Sequence, residues 1–521
     1  MYKLLCSFLE STLSIKYISR MVYILSVDQG TSSTRAIVIN CTSGTILAEH
    51  NVVLPNIFPK EGWVEIRPDL ILQTTYECID TVIAQAAEKG VSEDNIVGMG
   101  ITNQRETTIV WDSSTGKPLY NAIVWLDNRT NDTVKQLIEA TPSKTDTHFQ
   151  SVVGLPISPY FSAVKLRWLL DNVPGVTKKD VLFGTVDSWL IWNLTRNNDK
   201  GRPGIHVTDV TNASRTMLMN LKTLDWDDNM CKFFNVSKDM LPRICSSSEV
   251  YGHVSHGKME GKPIAGCLGD QQAALFGQHC FKKGEAKCTY GTGCFMLSNT
   301  GIDIVQSKHG LLTTVAYKLG NEPAIYALEG AVAIGGEVVR WLRDGLKIIT
   351  NSSDVEQLSQ SVDSTHDLYF VPAFSGLYAP YWDPTARGLI IGITAYTNSA
   401  HIARAALEAV CFQVSEILES MDADSGSELL CLRTDGGMTK NRQFLGMQAG
   451  ILGISVECRA ESAEATAMGA GMVAAKALGV WQVSELPGKV LNYTPSLGQA
   501  EREAKLVRWK DAVQRCRGWA Q

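Results

Sequence analysis

Asp28-Gln29-Gly30-Thr31-Ser32-Ser33-Thr34-Arg35 lies between two strand-like runs, residues 22–27 (VYILSV) and residues 36–40 (AIVIN). A carboxylate at a strand end, then glycine and hydroxyl residues in a tight reversal, suits a nucleotide phosphate. Glycine lets the backbone approach an anion, and exposed N–H and O–H groups donate to it. Asp28 can reach a phosphate-bound Mg²⁺, directly or through water. The same octet also reads as an ordinary hairpin turn rich in Asp, Gly and Ser, so it does not decide alone.

The second half repeats the pattern. Residues 287–299 (KCTYGTGCFMLSN) read as strand, glycine-hydroxyl reversal and strand around Tyr290-Gly291-Thr292-Gly293. Residues 432–438 (LRTDGGM) form a strand ending in Asp435 and two glycines, and residues 441–452 continue as a helix. One phosphate-type loop per half predicts two related domains closing on one nucleotide. The first is expected over residues 21–277, the second over residues 278–521. Strands are expected at 22–27, 36–40, 45–51 and 95–102, and helices at 69–89, 401–421 and 464–478. The last of these is dense in Ala and Gly, which predicts close packing against a neighbour.

A chain of 521 residues is too long for one core. Hydrophobic content of 45% and charged content of 20% are those of a globular protein. The net charge of -6 and the dispersed Lys and Arg residues give no sign of a nucleic-acid partner, and none is expected. The 13 cysteines form no C-x-x-C pair, as expected of free thiols in a reducing compartment. His253 and His256 lack cysteine partners at zinc spacing. Residues 1–20 are weakly amphipathic and too interrupted by charge to span a membrane. They read as an extension or as a mitochondrial-type targeting segment, with the cytoplasm the expected location and mitochondria the alternative.

Two nucleotide patterns almost match and fail. The Gly252–Lys258 stretch has P-loop spacing, but Met259 cannot supply the Mg²⁺ hydroxyl, and Gly261 and Pro263 forbid the following helix. Gly469-Ala470-Gly471 fits a dinucleotide pattern without the strand that must precede it. More specific is IAGCLGDQQAALFG at residues 264–277, a strand that becomes a helix at Asp270. Phosphoryl transfer to an alcohol needs a carboxylate to orient the hydroxyl and take its proton, so Asp270 is the candidate base. Its competing role is a helix N-cap. In Gln104-Arg105-Glu106-Thr107, neighbouring residues of opposite charge reach one ligand only if the strand has ended and the chain turns. A vicinal diol would then meet a donor fork and an acceptor.

These motifs, with YNAIVW, PYFSAVKLRWLLDN, FGTVDSWLIW, YALEGAVAIGG and VPAFSGLYAPYWDPTARG in order, make residues 22–521 resemble the FGGY carbohydrate kinases. The resemblance implies an α/β protein of two ribonuclease H-like domains of the actin and hexokinase type. Their mixed sheets are flanked by helices, and the active site lies in the interdomain cleft. It implies ATP-dependent phosphorylation of glycerol, the step that brings this polyol into glycolysis and glycerolipid synthesis. The first domain would bind the polyol and the second the nucleotide. Arg105, Glu106, Tyr160, Asp270 and Gln271 would bond the hydroxyls, with Trp125 and Phe295 along the carbon edge. Thr31, Ser32, Ser33, Arg35 and Thr292 would hold the ATP phosphates. Gly336, Arg340, Gly437 and Asn441 would line the nucleotide site. Asp28, with Asp270, would hold Mg²⁺. Arg340 replaces a glutamine often found there in the family, which leaves the adenine-side contact open. A homodimer or homotetramer is implied. A family kinase acting on another sugar, and a nucleotide-binding regulator without turnover, are the readings that compete.

Overall fold

The computed structural model describes residues 21–197, 199–426, 428–459 and 464–520. The expected extension at residues 1–20 lies outside them. The first lobe opens with an antiparallel meander, β1 (Tyr23–Gln29), β2 (Ser33–Asn40) and β3 (Ile46–Val53). Helix α1 (Pro68–Glu88) follows, started by a proline in its first turn. Strand β4 (Ile96–Asn103) then runs parallel to β1. Helices α2 (Ser162–Asn172) and α3 (Val186–Thr195) precede β5 (Ser248–His253) and β6 (Pro263–Gly269). The sheet order is β5-β6-β4-β1-β2-β3. Strand β6 leads without a loop into helix α4 (Asp270–Gly277).

The second lobe repeats this plan. Strands β7 (Ala286–Tyr290), β8 (Cys294–Gly301), β9 (Leu312–Tyr317) and β10 (Ile325–Val332) precede helices α5 (Glu337–Asp344) and α6 (Ser399–Ser425). Strand β11 (Cys431–Asp435), helix α7 (Arg442–Leu452) and strand β12 (Ser455–Arg459) follow. Helix α8 (Ala465–Ala477), strand β13 (Val490–Tyr493) and helix α9 (Gln499–Cys516) complete the chain. The order is β9-β10-β8-β7-β11-β12-β13. Three antiparallel strands continued by two parallel ones occur in both lobes, as β3-β2-β1-β4-β6 and β10-β8-β7-β11-β12. Each lobe therefore brings its central strand ends, and the loops after them, to one edge, the usual ligand position in such sheets.

The expected packing of the Ala- and Gly-rich helix is present, but its partner is across the molecule. Helix α8, late in the chain, lies on the first sheet and against α4. A Cβ at Gly100 of β4 would stand 2.2 Å from the Ala470 carbonyl oxygen, and one at Gly469 would stand 1.9 Å from that of Ala273. Only glycine permits this approach. A single cut at residue 277 thus does not divide the packing, because α8 belongs structurally with the earlier sheet. The lobes are also joined along β9. Ser214 and Thr314 share a 2.8 Å hydroxyl contact, and Thr313 N–H donates to the Gly154 carbonyl at 3.0 Å.

Candidate active site

The polyol residues converge where β4 ends. Beyond Asn103, Gln104 N–H donates to the Gln29 carbonyl at 2.8 Å, and Thr107 N–H donates back to the Arg105 carbonyl at 2.7 Å. Glu106 sits between them at φ +59°, left-handed and uncommon for a glutamate. That turn is what lets Arg105 and Glu106 face one site, although neighbours on a strand would diverge. A strained residue beside a cleft is a functional signature when its surroundings over-determine it.

Those surroundings are a buried charge cluster. Glu329 of β10 is fully buried and takes both terminal nitrogens of Arg105, NH1 at 2.5 Å and NH2 at 2.8 Å. Arg215, also fully buried, donates through Nε to Glu106 Oε1 at 2.5 Å, and its NH2 lies 3.4 Å from Glu329. Burial favours the protonated form of Glu329, but Arg105 and then Arg215 outweigh it and hold the carboxyl down to about 2. The expected donor fork is therefore corrected: Arg105 spends its fork on Glu329. What it leaves is Nε, 3.1 Å from Asp270 Oδ1 yet without a hydrogen-bond partner. Ion-paired with Asp270 but not in hydrogen-bond line with it, this N–H remains able to donate to a ligand hydroxyl.

Asp270 opens α4, as the strand-to-helix junction predicted, and accepts from its neighbour Gln271 N–H at 2.7 Å. It does not cap the helix through the second or third N–H, since Gly269 is the N-cap. Burial raises its pKa, and Arg105 partly offsets that. Gln271 accepts from Lys287 Nζ at 2.5 Å. Trp125 stands between Tyr160 and Phe295, with ring centroids 5.5 and 5.8 Å away and both contacts edge-on at 73°. The charged cluster packs directly on these rings, with the Arg105 guanidinium carbon 5.9 Å from the Phe295 centroid and that of Arg215 5.5 Å from the Tyr160 centroid.

Asp28, at the end of β1, is pushed up to about 7, by burial first and then by the Asp270 carboxylate. Two facing oxygen-donor groups that repel one another fit a hard divalent cation, and Asp28 and Asp270 are the residues that would hold it. The loop after Asp28 is closed by a 2.9 Å bond from Gly30 N–H to the Ser33 carbonyl. Thr31 Oγ1 accepts from Trp125 Nε1 at 2.8 Å, and Ser32 is exposed. Arg35 has a partner that lies far away in the sequence. Its guanidinium pairs with Glu464, at 2.6 and 2.7 Å, ahead of α8. Both bonds come from one terminal nitrogen, and the guanidinium charge also acts on the Asp28 carboxyl before the loop.

The second lobe contributes a cavity of about 460 Å³, lined by Thr292, Gly336, Arg340, Gly437 and Asn441 together with Glu337, Met438 and Glu356. All five second-lobe nucleotide candidates meet there. The turn at Gly291 is pinned by Gly336 N–H, which donates to its carbonyl at 2.8 Å. Asn441 caps α7 through Oδ1, at 2.9 Å from Phe444 N–H, and its Nδ2 is buried without a partner. Arg340 is mostly exposed and bound to Glu337.

The model of the FGGY family of carbohydrate kinases, N-terminal domain, matches residues 23–277, and that of the C-terminal domain matches residues 286–478. The chain belongs to this family. Within it, the chain is 48% identical to the glycerol kinase of Roseiflexus sp. (strain RS-1) over 505 residues, 95% of this chain and 99% of that protein. It is 48% identical over 543 aligned positions to a probable glycerol kinase of Dictyostelium discoideum, covering 95% and 98% of the two. Among solved structures, the glycerol kinase of Plasmodium falciparum with ADP superimposes with a TM-score of 0.84 at 38% identity, over 95% of this chain and 98% of that one. A gluconate kinase from Lactobacillus acidophilus, at 22% identity, shares the fold with a TM-score of 0.80, over 95% and 97%.

Glu329, Arg215 and Lys287 were not singled out in the sequence. The available signal was a lone charge inside an apolar strand, as in IYALEGAV and AKCTY, which cannot be exposed if the strand is central.

Proposed function

We propose that this kinase transfers the γ-phosphoryl group of ATP to a terminal hydroxyl of glycerol, giving sn-glycerol 3-phosphate and ADP. The observation that carries the reading is the amphipathic slot. Arg105 Nε, the Glu106 carboxylate and Asp270 supply polar groups beside the aromatic rings of Trp125 and Phe295, with Tyr160 against Trp125. Three hydroxyls on three carbons give glycerol one polar and one C–H side, which this slot matches. The full-length similarity to glycerol kinases supports it.

Asp270 accepts the proton of the hydroxyl as its oxygen attacks the γ-phosphorus in line, and ADP leaves with the electron pair of the broken P–O bond. Burial favours the acid form of Asp270, and Arg105 opposes it, favouring the carboxylate that accepts a proton. Gln271 and Glu106 orient the remaining hydroxyls. Thr31, Ser32, Ser33 and Thr292 offer hydroxyl and N–H donors to the phosphates, while the second-lobe cavity takes the nucleoside. Mg²⁺ held by Asp28 and Asp270 would neutralise phosphate charge. Most of the rate comes from positioning and fixed charge, and closure over the slot would exclude competing water. The 12 described cysteines are free thiols, which suits a reducing compartment, and we place the reaction in the cytosol.

The test is ADP release from Mg·ATP with glycerol, dihydroxyacetone, erythritol, xylulose, ribulose and gluconate in parallel. Strong preference for glycerol is expected. Preference for a larger sugar would overturn the slot, and nucleotide binding without turnover on any of them would overturn the enzyme.

A further inference from the structure

The hydrogen-bonding groups of the polyol slot stand on the first lobe, yet two of them are held from the second. Glu329 of β10 grips both terminal nitrogens of Arg105, and Lys287 of β7 donates to the Gln271 side-chain oxygen. Both holders are completely buried. Neither is spare. Glu329 lies between two arginines, and Lys287 also donates to Thr289 Oγ1 at 2.8 Å.

We infer that Glu329 and Lys287 are positioning residues that set which hydrogen-bonding groups the slot presents to the polyol. An unheld guanidinium offers five N–H donors in a fork and can turn either edge to a ligand. With NH1 and NH2 bound to Glu329, only the Nε edge is turned to Asp270. An unheld glutamine side chain can present its oxygen or its nitrogen. With its oxygen taken by the Lys287 ammonium, Gln271 presents Nε2–H and is fixed as a donor to a hydroxyl oxygen. The slot then offers donors at Arg105 and Gln271 and acceptors at Glu106 and Asp270, a pattern that fits hydroxyls in one order.

The holders also tie the slot to the other ligand. Strand β7 carries Lys287 and runs directly into Tyr290, Gly291 and Thr292, which line the nucleotide cavity. Phe295, in the aromatic wall, faces Thr289 across the β7–β8 hairpin. One hairpin therefore serves the cavity at its turn and the slot along its length.

The inference rests on the polyol kinase reading, and the test separates the two. Glu329→Gln, Glu329→Asp and Lys287→Met are assayed on whichever polyol of the panel the intact protein prefers, so a wrong substrate shows in the intact protein alone. Losing a charged hydrogen bond predicts a polyol KM raised roughly 10- to 100-fold in Glu329→Gln and Lys287→Met, with the ATP KM moved less than about threefold. Glu329→Asp, which keeps the charge, is expected to recover part of that loss. Positions that only maintain the fold would lower Tm and the active fraction, reducing kcat with both KM values unmoved, and that result overturns the inference. Should Glu329→Gln not fold, Lys287→Met decides alone, and an unchanged polyol KM in it overturns the inference equally.

Discussion

The two ends of the cleft recognise their ligands in opposite ways. The polyol end is side-chain chemistry: Arg105, Glu106, Arg215, Asp270 and Glu329 are neighbours in one buried or half-buried cluster, each held by another. The nucleotide end is an open cavity of about 460 Å³, where glycines at 291, 336 and 437 leave room between side chains such as Thr292, Glu337, Arg340 and Asn441. A small, featureless ligand offers little area, so discrimination must come from fixed hydrogen-bond polarity. A nucleotide offers area and charge, which glycine-rich turns meet with N–H groups. Substitutions at the polyol end should therefore be severe and specific, and those at the nucleotide end mild.

The strongest break is Asp270→Asn. It preserves size and removes the proton acceptor, so kcat should fall by roughly 10²- to 10⁴-fold, with the fold retained. Near-normal turnover in a steady-state assay would remove Asp270 from its role and leave the cluster without a chemical purpose.

Asp28→Asn sharpens the comparison by separating function from stability. The folded carboxyl titrates at about 7 against an ordinary 3.8. Between those values the folded chain holds a proton that the unfolded chain has lost, so this group weakens the fold increasingly as pH rises toward 7. The asparagine has no such cost. Its melting temperature should exceed the wild type's at about pH 8 and match it near pH 4. Turnover should fall roughly 100-fold because a cation-holding oxygen is lost. In the wild type, the acid limb of the rate profile should move to lower pH as Mg²⁺ is raised. A limb insensitive to Mg²⁺ would remove Asp28 from cation binding.

Phe295→Ala tests the wall rather than the charges. Its ring meets Trp125 and lies under the Arg105 guanidinium, 5.9 Å from carbon to centroid. Truncation should reduce the preference for glycerol over erythritol by roughly tenfold in kcat/KM, the worth of a modest apolar contact. An unchanged ratio would mean that the charged groups alone measure polyol length.

What the sequence made legible follows this division. The glycine-hydroxyl loops, the meander and the junction at Asp270 are local patterns, and each stands where those patterns placed it. The turn at Glu106 was inferable as well, because two adjacent opposite charges cannot share a ligand from a strand. What stayed hidden is long-range. Lys287 and Glu329 look in sequence like polar interruptions of a strand, and their meaning appears only when the second sheet faces the first. The ion-pair partner of Arg35, Glu464, was hidden because it is 429 residues away. The packing partner of α8 was hidden for the same reason: small residues announce close approach but not to what.

The smallest expected effect is at Arg340, where a side chain does stand at the nucleotide end. Its Nε and NH2 both donate to Glu337 Oε1, at 3.0 and 2.7 Å, and its side chain is 61% exposed. An exposed pair of this kind within one helix contributes little, and a guanidinium turned toward Glu337 has few donors left for a base edge. Arg340→Ala should therefore change the ATP KM by less than about threefold and leave the glycerol KM unmoved. An increase beyond tenfold in initial-rate measurements would show that this end, too, reads its ligand through a charged side chain, and the contrast between the two halves of the cleft would no longer hold.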